Sequence, residues 1–155
     1  MINKKGIWKE ALLLALVGGL VFWLTNFAIS RTTIAAEYRA ALSISYVPML
    51  LESLIGGLII GLWVSFLLLR FYKQIPAKNP VVKAVILSAL VLAFVTITIG
   101  GPSSYFASSN VSRYFVMGTI FNVIRIMALG LAIGFVHQKL FVSNDPSRLA
   151  TSPSD

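Results

Sequence analysis

Residues 121–135 read FNVIRIMALGLAIGF, an apolar run with one arginine near its middle. The surrounding chain is 57% hydrophobic and 12% charged, with a mean hydropathy of +0.86. That leaves too few polar side chains to coat a globule in water. The apolar residues fall in continuous blocks at about 7–29, 47–70, 81–100 and 113–137. Each has the roughly 20 helical residues needed to cross a hydrocarbon core of about 30 Å. A membrane barrel would instead show segments of about ten alternating residues. The expected fold is all-α, an integral membrane four-helix bundle made of two antiparallel hairpins. It occupies one domain over 1–141, and the small, polar, proline-containing tail over 142–155 has a disordered composition.

The basic residues give an orientation. Lys4, Lys5 and Lys9 precede the first block, Arg70, Lys73, Lys78 and Lys83 bracket the second turn-around, and Lys139 and Arg148 follow the fourth. The opposite loops hold Arg31, Arg39 and Arg113, so the positive-inside rule places both termini and the 71–80 loop in the cytoplasm. With nothing eukaryotic about the opening MINKKG, the expected location is a bacterial inner (plasma) membrane. The net charge of +8 is spread over loop ends, without a basic face or interleaved aromatics, which argues against nucleic acid as a partner. MINKKGIWKE also resembles the positive region of a secretory signal, with Ala28 and Ser30 as small residues before a cleavage site. The apolar stretch from Ala11 to Ile29 is longer than a usual signal core, which favours retention. There is no cysteine, hence no disulfide, thiol chemistry or cysteine-ligated metal.

The outer loops are modest. RTTIAAEYRAALSISY places Ile34, Tyr38, Ala41 and Leu42 at helical spacing, and reads equally well as an amphipathic surface helix or as a connector. In GGPSSYFASSNVS, Gly100, Gly101 and Pro102 end the third block. Trp8, Trp23 and Trp63 read as interfacial anchors and packing residues.

Two stretches invite comparison: ESLIGGLIIG ending at Gly61, and RIMALGLAIG ending at Gly134. A shift of 73 residues lays Gly57 on Gly130, Gly61 on Gly134 and Glu52 on Arg125, as a parallel two-fold repeat of hairpins would. Small residues four apart let helix backbones approach closely. The first block offers Ala11, Ala15 and Gly19, and the third offers Ala84 and Ser88, so each hairpin can close on its own glycine pair. The opposite faces carry Glu52 with Gly56, and Gly118 with Asn122, Arg125 and Ala132. These are then free to meet at the centre, where Glu52 and Arg125 are expected to pair. An intramembrane charge alone costs about 2.5–3.5 kcal/mol on insertion scales. The arginine therefore has three readings: a buried pair that fixes packing, a water-lined functional site, or a side chain snorkelling without a partner.

Enzymatic chemistry is poorly supplied. The chain has five acidic residues, of which Glu10 sits at the start of the first block and Glu52 alone lies deeper inside one. The serines of GPSSYF lie a bilayer thickness from His137, the one histidine, so no serine–histidine dyad is expected. His137 has no ligand at metal-binding spacing and reads as an interfacial residue, and no cofactor is implied. The expected protein is a non-enzymatic multi-pass membrane protein that acts through helix packing with itself or with another membrane protein. The alternative is a small oligomeric transporter or channel component for an anion or proton, lined by Glu52, Asn122 and Arg125.

Overall fold

The computed structural model describes residues 4–95, 97 and 109–142. Its elements are all helical: α1 Lys4–Ser30, α2 Thr33–Ala41, α3 Tyr46–Phe71, α4 Pro80–Val95 and α5 Ser109–His137, the last continued by a π-helical turn, Gln138–Val142. Three stretches are long and apolar enough to cross a membrane: Gly6–Ser30, Tyr46–Phe71 and Ser112–Leu140. α4 is apolar but shorter. The end of the expected third block, the loop to residue 108 and the tail beyond 142 lie outside the described residues.

Local sequence explains the helix ends. Asn79 caps α4, its Oδ1 accepting from the Val81 backbone N–H at 2.8 Å, and Pro80 follows at the first helical position, where its missing N–H costs nothing. Thr32 caps α2 in the same way, accepting from Ala35 N–H at 3.2 Å. α2 ends at a turn in which Ser43 adopts φ = 52°, a left-handed conformation that reverses the chain towards α3. The 30–45 segment therefore contains a short helix rather than a bare connector.

α1 lies between α3 and α5, α4 packs along α5, and α3 meets α4 less closely. The α1–α3 contact is made by backbone. A Cβ added at Gly61 would stand 2.9 Å from the Ala15 carbonyl oxygen, and one at Gly57 would stand 3.1 Å from the Gly19 carbonyl oxygen and 2.8 Å from the Phe22 ring. α4 and α5 meet similarly: at Gly134 a Cβ would lie 2.6 Å from the Val81 Cα and 3.0 Å from the Ala84 Cβ, and Gly130 faces Ser88. Ala11 is fully buried. Without a hydrophobic drive between helices in lipid, this approach earns its stability through dispersion contacts.

The apolar core runs from the Lys83–His137 end of the bundle up to Phe22 and Ile126, beside Arg125. Leu14, Val64, Leu68, Leu129 and Ile133 are fully buried there, with Ile126 nearly so. At that end Lys83, 7% exposed, donates to the Tyr72 carbonyl with its ammonium 4.0 Å from the Tyr72 ring centroid. His137 packs against the same ring, centroids 5.1 Å apart, and is 3% exposed. It is thus packed within the protein near the end of α5. Outside the core, large apolar side chains point away from the protein, among them Leu12, Leu16, Leu20 and Leu24 on α1 and Leu51, Ile55, Ile59 and Trp63 on α3. So much outward apolar surface suits lipid rather than water.

Glycine packing gives an internal control. Gly61→Leu is expected to lower the stability of the detergent-solubilised protein by about 1–3 kcal/mol through overpacking against the α1 backbone. Gly56→Leu, at a position where an added Cβ meets nothing within 4 Å, is expected to be tolerated. Chemical unfolding followed by helical signal checks both.

Candidate functional site

At the α2 end of the bundle a second group of buried or half-buried polar side chains, Asn26, Ser30 and Arg125 among them, gathers beneath α2. The middle of α5 faces α1 at this level. The Arg125 Nε donates to the Phe121 carbonyl at 3.1 Å, one turn earlier on its own helix. Its guanidinium carbon lies 5.9 Å from the centroid of the Phe22 ring, an aromatic face that favours a cation.

α2 closes over this arginine. Tyr38 stacks edge-on against Phe121 at 5.6 Å between centroids and against Tyr114 at 6.3 Å. Its hydroxyl occupies the place a side chain at Gly118 would take, since a Cβ there would stand 2.7 Å from it. Glu37 pairs with Arg113 at 3.1 Å, tying α2 to α5 from the surface. That pair is exposed, so its own contribution is at most about 1 kcal/mol. Arg39 ties α2 to α1 by donating from Nη1 to the Ser30 carbonyl at 2.9 Å, and its guanidinium lies 5.1 Å from the Tyr46 ring centroid.

Beneath α2 lies a cavity of about 20 Å³, lined by Asn26, Ser30, Tyr38, Arg39, Phe121 and Arg125 among others. Its size suits a single water or one ligand oxygen. Asn26 is 2% exposed, and its Nδ2 has no hydrogen-bond partner among the described residues. Leaving a buried amide N–H unmet costs about 1–3 kcal/mol. Ser30 Oγ donates to Phe27 O at 2.6 Å. Ser30 and Arg39 also line a wider, open basin of about 440 Å³ with Arg31, Thr32, Thr33 and Tyr46.

The sequence-expected residues are divided by this arrangement. Arg125 lines the cavity, and Gly118 packs against the Tyr38 hydroxyl beside it without lining it. Asn122 is half-buried one turn away and is not among the cavity residues. Glu52 does not pair with Arg125: among the described residues the ion pair is Arg113–Glu37, and Glu52 is exposed. The reason is helical phase. With Gly57 and Gly61 turned onto α1, Glu52 sits about 160° away at about 100° per residue and faces outward. Arg125 likewise points away from α4, but the helix it meets is α1 rather than α3.

Asn26, Ser30, Tyr38, Arg39 and Tyr46 were not anticipated as site residues. A signal for two of them was present, because Asn26 and Ser30 are polar residues four apart inside the first apolar block, on one helical face. The chemistry available is donation and positive charge, with no carboxylate lining either cavity. Comparison with protein-family models, with curated proteins and with solved structures finds no match to the chain.

The absence of a Glu52–Arg125 contact has a measurable consequence. In a double-mutant cycle of Glu52→Gln and Arg125→Met, the stability effects are expected to add within about 0.5 kcal/mol. Arg125→Met alone is expected to cost nothing or to stabilise, because it removes an intramembrane charge that has no carboxylate partner. Loss of one member of a true buried pair would instead cost about 3–5 kcal/mol.

Proposed function

We propose that the chain is a non-enzymatic membrane protein with four spans and both termini in the cytoplasm, working by lateral association with a helix of another membrane protein. α4 supplies the fourth span, and the two hairpins α1–α3 and α4–α5 relate as a parallel repeat. The repeat is supported by the same mode of closure in each, a glycine pair seated on small residues of the preceding span. Orientation rests on the asymmetry of basic residues, and the bacterial plasma membrane on the character of the opening MINKKG.

The observation that carries the association reading is the outward face of α3. Glu52, Ile55, Ile59 and Trp63 are exposed along it, Gly56 has open space above it, and the face borders an apolar groove of about 480 Å³ between α3 and α4, lined by Ile59, Trp63, Leu67 and Leu90 among others. A carboxylate near the outer end of an otherwise lipid-facing stripe favours a neighbouring helix that brings a lysine or arginine to that level, while the glycine permits close approach.

A photo-crosslinking residue at position 56 is expected to give one discrete protein adduct in native membranes, abolished by Glu52→Lys. The same probe at Leu131, an exposed residue of α5, is expected to give none. Equal labelling at both positions would contradict the reading. For topology, reporters at residue 155 and near Ser108 are expected to report opposite sides of the membrane.

The transport alternative draws on the cavity at Arg125. Against conduction by a single chain, the fully buried Leu14, Leu68, Leu129 and Ile133 fill the bundle between that cavity and the cytoplasmic end.

A further inference from the structure

Four features of the α2 region point to a ligand. The first is an amide donor: Asn26 Nδ2, buried and unpartnered among the described residues, on a residue that lines the inner cavity. The second is charge. Arg125 and Arg39 both line that cavity, and Arg31 and Arg39 line the basin outside it. The third is the absence of compensation: neither lining contains an acidic residue, and Glu37, the acid on α2, is engaged by Arg113. The fourth is shape. Ser30 and Arg39 line both spaces, so a chamber with room for one oxygen atom adjoins a basin large enough for a polar headgroup.

We infer that this is an anion site for a phosphate group. One phosphate oxygen enters the inner chamber, where it accepts from Asn26 Nδ2 and the Arg125 guanidinium. The remaining oxygens lie in the basin, facing Arg39, Arg31 and the hydroxyls of Thr33 and Tyr46. Guanidinium is suited to this because its planar fork matches two oxygens of a phosphate and it is less strongly hydrated than an ammonium. A bound phosphate would meet the orphaned Asn26 donor and neutralise Arg125 together, which no described residue does. α2 acts as the lid that holds the donors in place, through Tyr38 against Gly118 and Arg39 against Ser30. The basin is open, so the phosphate can belong to an anionic lipid headgroup or be free in solution. The site is independent of the association surface on α3 and stands whether or not a partner helix binds there.

The test uses the full chain purified in an uncharged detergent, with two probes. Inorganic phosphate is titrated while thermal unfolding is followed, and phosphatidylglycerol carried through purification is read by native mass spectrometry. The variants are Asn26→Leu, Arg125→Met and Arg39→Gln, with Arg70→Gln, an exposed cation at the far end of α3, as control. Stabilisation by phosphate that each site variant weakens by about tenfold or more, and the control leaves unchanged, supports a site for a free anion. Retained phosphatidylglycerol lost from the site variants but kept by the control, without a phosphate effect, supports a lipid headgroup site. Asn26→Leu removes no charge, so its effect separates a built site from general attraction to a basic surface. If the wild-type chain binds neither probe, or Asn26→Leu and Arg125→Met bind as the wild type does, the inference is overturned.

Discussion

The close approach of α1 and α3 governs the rest of the molecule. Where the Ala15 carbonyl faces Gly61 and the Gly19 carbonyl faces Gly57, the two backbones come nearer than any larger side chain allows. This contact fixes the rotation of α3 about its axis, and with it the outward direction of Glu52. It also leaves α1 with a second face for α5, on which Gly18 receives Ile133 and Leu129. Arg125 is thereby set against Phe22. The positions of Glu52 and Arg125 thus trace back to a few residues with almost no side chain.

Arg125 is accommodated without a countercharge. Its Nε uses a backbone oxygen of the preceding turn, an aromatic ring lies beside it, and α2 brings Tyr38 and a second arginine over it. These contacts lower the cost of an intramembrane cation but leave its charge uncompensated by any lining carboxylate. A protein optimised for stability alone would place methionine or leucine there. The arginine, together with the unpartnered amide of Asn26, is the physical reason for proposing a binding role at the α2 end of the bundle.

The helical class and the three long apolar helices were legible in composition and block length, because lipid demands continuous apolar runs and helices that satisfy their own backbone. Ala15, Gly19, Gly57 and Gly61 recur at one-turn spacing in the sequence, and they lie where α1 and α3 come close. Which faces would meet across the bundle was not legible. Helical phase places Glu52 opposite its own glycines, but it does not say whether that face turns to the centre or to the membrane, and α1 took the place expected for α3. The role of α2 was half visible. Its spacing allowed a surface helix, yet Tyr38 turns inward onto Gly118 while Ile34 stays exposed, a choice set by the cavity between α1 and α5 rather than by periodicity. Asn26 was overlooked because a single asparagine in an apolar run leaves hydropathy almost unchanged.

The arrangement of α1 between α3 and α5 is tested most directly by disulfide crosslinking in native membranes, in a chain with no cysteine of its own. Phe22→Cys combined with Gly57→Cys is expected to crosslink rapidly on mild oxidation, since the two positions are in contact. Glu52→Cys combined with Arg125→Cys is expected to remain reduced within one chain. Efficient intramolecular crosslinking of the second pair, with none of the first, would contradict the packing from which both the outward Glu52 face and the arginine site follow.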